Sequence, residues 1–177
     1  MIVSKTELKG VLVIEPQIFG DDRGFFMETF QCERYAEIGI DLTFIQDNFS
    51  RSSHGVLRGL HFQRTRPQGK LVTCIRGKVL DVVVDLRADS KSLGKSFSII
   101  LDSDKRNQLW VPPGFAHGFA VLSKSADFFY KCTDYYFPHD ESGILWNDPD
   151  LAIDWLVTNP SVSEKDQKLQ SLREVIG

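Results

Sequence analysis

The sequence lacks the features that mark membrane, secreted and nucleic-acid-binding proteins. It contains no apolar run long enough to span a bilayer, and Met1–Lys5 does not have the layout of a signal peptide. Cys32, Cys74 and Cys132 are the only cysteines; their odd number and wide spacing favour reduced thiols, in or near the core, over a disulfide framework. The net charge of −3 provides no global basic field for nucleic acid. We therefore expect a cytoplasmic protein that binds neither membranes nor nucleic acid.

The sequence also has no internal repeat, no low-complexity segment and no linker. Its 177 residues, of which 42% are hydrophobic and 25% charged, fit one globular domain with a sizeable core. We expect a single domain over residues 1–177, with a β-barrel core at about residues 8–138 and a C-terminal segment at about 139–177.

Long helical patterns are scarce as well, and short strand-like segments separated by turn signals take their place. Besides Val56–Gln63, the predicted strands are Val11–Glu15, Phe25–Phe30, Leu42–Ser50, Lys70–Ile75, Lys78–Leu86, Ser96–Leu101, Gln108–Val111, His117–Leu122 and Ala126–Cys132. We interpret Arg76-Gly77, between two of these strands, as a hairpin turn. Many short strands at regular intervals indicate a sandwich or barrel, and an all-β jelly roll is the version that we expect.

Only two segments have helical character. Glu33–Ile38 predicts one or two helical turns, ended by Gly39. In the tail after Ser163, apolar residues recur at helical spacing, namely Leu169, Leu172, Val175 and Ile176. Ser163 and Asp166 have the form of a capping box, so we expect a C-terminal helix that begins near Ser163.

The stretch Val56–Gln63 combines a strand pattern with residues suited to catalysis. Apolar and polar residues alternate through it, and Gly59 between Arg58 and His61 leaves room for a close approach to the backbone. A guanidinium suits phosphate, and an imidazole that titrates near neutrality suits proton transfer. On these residues alone, a surface arginine and a hydrogen-bonded core histidine remain the alternative.

A second stretch contains Pro112, Gly114 and His117 in the spacing Pro-x-Gly-x-x-His, which resembles the second signature of the cupins, a jelly-roll superfamily. In metal-binding cupins this histidine is a ligand, and the first signature supplies His-x-His followed by Glu. Here His61–Gln63 lacks the second histidine, and no glutamate follows in place. Because a zinc or iron site generally needs three protein ligands, we expect a cupin-like barrel without a metal.

Short motifs, spread over nearly the whole chain, carry a more specific resemblance. They are Asp22–Phe26, Gln46–Ser50, Leu57–Gln63, Gln68–Val72, Pro113–Phe119, Tyr130–Lys131, Trp146–Pro149 and Ser163–Asp166. Together, and in this order, they resemble the dTDP-4-dehydrorhamnose 3,5-epimerase family. The resemblance implies a cofactor-free isomerase of dTDP-rhamnose synthesis, and hence of lipopolysaccharide or cell-wall polysaccharide production.

The implied substrate is dTDP-4-dehydro-6-deoxy-D-glucose, a dTDP-linked 4-keto-6-deoxy sugar. Its C4 ketone acidifies the hydrogens on C3 and C5, so that a base can remove each proton and form an enolate. Protonation from the other face inverts each centre and gives dTDP-4-dehydro-L-rhamnose. Such a reaction requires a base, an acid on the opposite face, a positive group for the enolate oxygen and a handle for the nucleotide.

The resemblance also implies roles for single residues. His61 matches the family's base, Asp166 the carboxylate that orients it, and Tyr130 the proton donor. Lys70 and His117 match residues at the sugar ring, with Lys70 as the stabiliser of the enolate. The remaining matches are substrate contacts: Tyr136, which stacks on thymine, Arg58 and Lys165 as diphosphate partners, and Arg23, Glu28, Gln46, Asn48 and Glu141.

Several of these residues have a structural interpretation as well. Asp166 would be the capping acid of the last helix, and Tyr130 a strand aromatic with its hydroxyl at the rim. Lys70 would be a solvated turn lysine and Glu28 an outward-facing strand residue. The functional alternatives are an enzyme that inverts only C3 or only C5, one that moves the ketone between C3 and C4, and a catalytically silent barrel that binds a nucleotide sugar.

The family is usually dimeric, with a strand contributed across the interface. We therefore expect a homodimer with strand exchange, in which Arg23, Phe26 and Glu28 are candidates for serving the neighbouring subunit's site.

Overall fold

The computed structural model describes all 177 residues, and strands dominate its secondary structure. The strands are β1 (Ile2–Lys5), β2 (Leu12–Glu15), β3 (Ile18–Asp21), β4 (Gly24–Met27), β5 (Gln46–Ser53), β6 (Val56–Gln63), β7 (Lys70–Arg76), β8 (Lys78–Asp85), β9 (Ser96–Asp102), β10 (Gln108–Val111), β11 (Phe115–Val121), β12 (Ser125–Cys132), β13 (Glu141–Gly143) and β14 (Ser161–Val162). The helices are α1 (Cys32–Glu37) and α2 (Leu172–Ile176), and a 3-10 turn covers Asp166–Lys168. Neither α-helix has the length and apolar character needed to cross a membrane.

Two sheets face each other and enclose the barrel. The first has the strand order β1-β2-β10-β7-β12-β5, and the second has the order β13-β6-β11-β8-β9. β14 adds to β6 in parallel, whereas the other pairings in both sheets are antiparallel. The consecutive strands β6, β7 and β8 alternate between the two sheets, as expected for a jelly roll. The predicted all-β jelly roll is therefore confirmed.

The strand β8 shows how the barrel core is built from alternating side chains. Val79 and Val83 pack into the core between the sheets, whereas Leu80 and Val82 pack on the opposite, outer face of the second sheet. Both faces are therefore buried, and each fully buried aliphatic side chain contributes about 1.5–3 kcal/mol of transfer free energy.

Residues 139–177 supply the cover on that outer face. Ile144, Trp155 and Leu172 are buried there against the second sheet. The Leu172 backbone N–H donates to the Asp148 carboxylate and fastens the start of α2. Because this segment lies on the second sheet, β13 and β14 both reach β6 and pair with it.

The prediction of a helix that begins near Ser163 is wrong. α2 begins at Leu172, where Ser171 and Glu174 form the capping box. The Asp166 backbone N–H does donate to the Ser163 hydroxyl, at 3.1 Å, but the Asp166 side chain is held by the barrel. Because that tertiary contact competes with helix formation, the turn that starts at Asp166 stops after three residues.

The interpretation of Arg76-Gly77 as a hairpin turn is also wrong. β7 and β8 lie in different sheets, and Gly77, with φ 81°, is the corner where the chain crosses from one to the other. A Cβ at Gly77 would lie 2.3 Å from the Ser125 carbonyl oxygen, so the corner has room for glycine alone. The turn signal identified a change of chain direction but not which strands pair.

Two predicted strands have clearly different bounds, whereas the bounds of the others agree to within one or two residues. The strand expected over Phe25–Phe30 ends at Met27, because β3 and β4 form a separate two-stranded sheet with no further partner, and Glu28 lies outside it. The strand expected over Leu42–Ser50 begins only at Gln46, where pairing with β12 begins.

The cysteines and the first helix follow the sequence more closely. Cys74 and Cys132 are buried free thiols, as predicted, whereas Cys32 is exposed at the start of α1 and the expectation for it is wrong. The helical turns predicted over Glu33–Ile38 are confirmed by α1, and Gly39 follows with φ 90°.

Gly118 of β11 marks a close approach between two backbones in the second sheet. A Cβ on Gly118 would lie 2.6 Å from the Arg58 carbonyl oxygen and 3.1 Å from Gly59 Cα. Gly118→Ala should therefore push β6 and β11 apart and lower the free energy of unfolding by about 1–3 kcal/mol, the usual cost of overpacking. Urea denaturation measures this loss. Gly20→Ala is the control, since its Cβ would meet only a carbonyl oxygen at 3.7 Å; equal losses in the two variants would contradict the prediction.

Candidate active site

Two adjoining cavities lie between the sheets, and both are lined by His61, Lys70 and Tyr130. Their volumes are about 530 and 320 Å³. Cavities of this size are typical of small-molecule sites. Arg58 and Lys165 line the larger cavity.

The lining residues come from opposite walls. His61 on β6 and His117 on β11 are directly paired across the second sheet. Lys70 on β7 and Tyr130 on β12 belong to the first sheet, which faces it. A ligand in the cavity would therefore have imidazoles on one side and an ammonium and a phenol on the other.

The His61 ring is held by a buried carboxylate. Its Nε2 lies 2.7 Å from Asp166 Oδ1, and the Gly59 backbone N–H donates to Asp166 Oδ2 at 3.2 Å. Burial alone would raise the pKa of Asp166, but these hydrogen bonds outweigh it, so the pKa lies below its usual value. The ionised carboxylate keeps a proton on Nε2 and leaves Nδ1 as the basic nitrogen.

Burial shifts the pKa values of the two side chains on the opposite wall in opposite directions. Burial raises the pKa of Tyr130 to about 12, so its hydroxyl keeps a proton at neutral pH. Burial lowers the pKa of Lys70, and the neighbouring Cys132, Asp81 and Glu141 act in the opposite direction. The wall thus offers a neutral O–H donor beside an amino group whose charge depends on its surroundings.

His117 has a carboxylate partner of its own. Its Nε2 lies 2.9 and 3.0 Å from the two carboxylate oxygens of Asp81, on the neighbouring strand β8. Sequence reasoning missed Asp81. The signal was available, because Asp81 interrupts the apolar run Val79–Val84.

Arg58 and Lys165 both reach the larger cavity. The Arg58 Nε donates to the Ser52 hydroxyl at 3.2 Å, and its terminal nitrogens have no hydrogen-bond partner within the chain. Lys165 forms an ion pair with Glu141. The Tyr136 hydroxyl donates to the same Glu141 carboxylate at 2.8 Å. Three predicted substrate contacts are thus joined to one another.

The smaller cavity is bounded by amides. Gln46 and Asn48 on β5 line it together with Tyr136 and Glu141. The Gln46 side chain donates to Asn48 Oδ1 at 3.1 Å and accepts from the Tyr136 backbone N–H at 2.9 Å. These polar groups are placed at the edge of the barrel, next to an exposed aromatic ring.

Two predicted contacts lie elsewhere. Arg23 is in the turn between β3 and β4, where its guanidinium pairs with Asp21. Glu28 pairs with Arg34 of α1 at 2.6 Å. Neither lines the two cavities of its own chain, and the assignment of Arg23 and Glu28 as substrate contacts stays a prediction. The sequence motif around them gives no information on which subunit they face.

Metal ligands are not clustered in the structure. No group of three or more histidine, cysteine, aspartate or glutamate side chains is arranged to hold an ion. His61 and His117 each have an aspartate partner instead. Independence from metal stays a prediction.

Comparison with known proteins identifies the family of this chain. The family model described as dTDP-4-dehydrorhamnose 3,5-epimerase matches residues 5–174. The Escherichia coli protein of that name is 52% identical, over 99% of this chain and 97% of its own, and that of Methanothermobacter thermautotrophicus is 49% identical, over 96% and 94%. The Legionella pneumophila dTDP-6-deoxy-D-glucose-3,5-epimerase, solved in complex with dTDP-4-keto-L-rhamnose, superposes with a TM-score of 0.94 at 50% identity, covering 97% of this chain and 93% of that one. This chain belongs to the dTDP-4-dehydrorhamnose 3,5-epimerase family.

Proposed function

We propose that this protein inverts C3 and C5 of dTDP-4-dehydro-6-deoxy-D-glucose and releases dTDP-4-dehydro-L-rhamnose, without a cofactor. Membership of the family supports the reaction. The observation that carries it is the position of a carboxylate-held imidazole, His61, and a protonated phenol, Tyr130, on opposite walls of one cavity. Inversion by proton transfer requires a base on one face of the carbon and an acid on the other.

His61 is the base in this proposal. With Asp166 on Nε2, the free Nδ1 takes the proton from C3 or C5, next to the C4 ketone. Asp166 stabilises the imidazolium that forms, as the aspartate does in other His–Asp pairs. Tyr130 then delivers a proton from the opposite wall, and the centre is inverted.

Lys70 and His117 act on the sugar ring. The enolate places negative charge on the C4 oxygen, and a positioned donor to such an oxygen typically lowers the barrier by about 2.7–4 kcal/mol. The Lys70 ammonium is the stronger of the two donors because it carries a full charge.

The nucleotide binds at the rim of the barrel. Arg58, with its free terminal nitrogens, and Lys165 bind the diphosphate. Tyr136 stacks on thymine, and Gln46 and Asn48 hydrogen-bond near it. Glu141 orients Lys165 and Tyr136 before the nucleotide arrives.

Two copies associate through the β3–β4 arm. Its aromatic residues Phe19, Phe25 and Phe26 are 60%, 56% and 68% exposed, and Phe49 on the outer face of the first sheet is 57% exposed. Exposed apolar patches of this kind are typical of interaction surfaces. In a homodimer with strand exchange, the arm of one copy would carry Arg23 to the neighbouring site, and Glu28 would follow it.

The enzyme acts in the cytoplasm, where its three free thiols remain reduced. There it supplies the precursor of dTDP-rhamnose for lipopolysaccharide or another cell-wall polysaccharide.

Tyr130→Phe should separate proton abstraction from inversion. The ring still packs and only the hydroxyl is lost, so His61 still forms the enolate and returns a proton to the face it left. In heavy water, deuterium should enter C3 or C5 with the original configuration, faster than epimerisation. Loss of the acid should slow inversion by about 10²–10⁴-fold. Proton NMR of the recovered sugar gives both rates.

His61→Asn is the matched control, because without the base both exchange and inversion should be lost while dTDP still binds. If Tyr130→Phe instead inverted its substrate at the wild-type rate, Tyr130 would not be the acid.

Arg58→Ala should weaken dTDP binding by about 1.5–3 kcal/mol, the scale of a hydrogen bond to a charged group. Calorimetric titration with dTDP measures the change. Arg51→Ala is the control, since Arg51 pairs with Asp127 and lines neither cavity. Unchanged affinity in Arg58→Ala would place this arginine away from the diphosphate.

Mixing two inactive variants tests the exchanged arm. A heterodimer of His61→Asn with Arg23→Ala would contain one intact site, built from His61 of one copy and Arg23 of the other. After subunit exchange, an equal mixture should recover up to about a quarter of wild-type activity, as random pairing of two-fold dimers predicts. No recovery, or a monomer by sedimentation, would contradict the proposed arm.

A further inference from the structure

Asp81 is a fully buried carboxylate to which the proposed reaction assigns no role. It has 0% exposure and lies on the inner face of β8, between Val79 and Val83 of the barrel core. A buried carboxylate costs free energy unless it is paired and hydrogen-bonded. Its one hydrogen-bonding partner is the ring of His117, which meets both carboxylate oxygens.

The charge of Asp81 also favours the protonated form of Lys70, which lies on the facing sheet. Three acidic side chains influence the Lys70 ammonium: Cys132, Asp81 and Glu141. Burial raises the pKa of the Cys132 thiol, so this group is neutral at neutral pH. Glu141 is already engaged by Lys165 and Tyr136. Asp81 is therefore the anion that remains to offset the ammonium.

No other acidic group around the cavity takes the place of Asp81 beside Lys70. Tyr130 is neutral, and Asp166 is bound to His61 and the Gly59 backbone N–H. Burial raises the pKa of Asp81, while the proximity of His117 and Lys70 favours its ionised form. Asp81 is thus hydrogen-bonded to His117, one of the two groups proposed to contact the sugar, and its charge influences the other, Lys70.

We infer that Asp81 is a positioning residue for enolate formation, which fixes the ring of His117 and maintains the positive charge of Lys70. The inference rests on the role proposed above for Lys70. With Nε2–H directed at Asp81, the His117 ring is held in one orientation and presents its opposite edge to the cavity. With the anion in place, Lys70 stays an ammonium although it is surrounded by protein.

Removal of this charge should affect the reaction in a specific way. The enolate would be less stable, so proton abstraction itself would slow, and exchange and inversion would fall together. This differs from Tyr130→Phe, in which exchange continues. Nucleotide affinity should not change, because Asp81 makes no hydrogen bond or ion pair with Arg58 or Lys165 and lines neither cavity.

Asp81→Asn is the first test, since the amide preserves the volume and one acceptor oxygen. We expect kcat to fall about 10- to 100-fold, less than the 10²- to 10³-fold typical of losing a direct oxyanion donor. The alkaline limb of the kcat profile should move to lower pH, because Lys70 loses its proton more easily without a nearby anion. Affinity for dTDP, measured by calorimetry, should stay within about two-fold of wild type.

Asp85→Asn is the matched control. Asp85 is equally buried in the same strand, but it is bound by Arg87, Ser90 and Ser92 outside the cavities. This variant should lose stability without a shift in the pH profile. If Asp81→Asn behaved in the same way, Asp81 would have a structural role only and the inference would be overturned.

A double-mutant cycle shows whether Asp81 acts through Lys70. In a Lys70→Met background, the change Asp81→Asn should cost less than about three-fold in residual activity, because coupled residues are not additive. An undiminished 10- to 100-fold further loss would mean that Asp81 does not act through Lys70.

If Asp81→Asn does not fold, the protonation state of Lys70 can be measured in the wild-type protein instead. NMR of lysine side chains labelled with ¹⁵N should show Lys70 protonated throughout the pH range of activity. A neutral Lys70 in that range would overturn the inference. The same sample gives the turnover of the keto sugar, so failure of the proposed reaction would be recognised separately.

Discussion

Two histidines on the inner face of one sheet, each paired with a buried aspartate, are the constraint on which the rest of the site depends. His61 and His117 are paired across β6 and β11, and each ring is held by a carboxylate that is itself almost inaccessible. A buried carboxylate is stable only while its partner stays in place. The close backbone contact at Gly118 and the position of Asp166 are therefore requirements of the chemistry as well as of the fold.

The C-terminal segment, residues 139–177, contributes both to the stability of the fold and to the geometry of the site. By covering the outer face of the second sheet, it adds buried apolar surface and pairs β13 and β14 with β6. The same segment carries Glu141, Lys165 and Asp166 to the cavity. Lys165, the proposed nucleotide contact, and Asp166, the carboxylate that holds His61, are thus consecutive residues, so that the stability of the barrel and the position of the His61 ring derive from one set of contacts.

How much the sequence could predict depended on the range of the interactions. Many short strand-like segments at regular intervals, with alternation along β6, predicted a jelly roll, because these signals are local in the sequence. The prediction of a helix from Ser163 was wrong because local and distant contacts competed. Asp166 has the sequence position of a capping acid, but the barrel holds its side chain. The prediction of a hairpin at Gly77 was wrong because turn residues do not specify which strands pair. The break that Asp81 makes in an apolar run marked it as unusual, but its partner His117 is distant in sequence, and only folding brings the two together.

In the proposed reaction, His61 abstracts a proton at each of two carbons and Tyr130 delivers one to each from the opposite wall, with protein groups alone. The most direct measurement is the proton NMR spectrum of the product formed by the wild-type protein from dTDP-4-dehydro-6-deoxy-D-glucose in heavy water with a chelator present. We predict a product that carries deuterium at both C3 and C5, each with inverted configuration. Inversion at only one centre, or activity that disappears with the chelator and returns with a divalent ion, would contradict it.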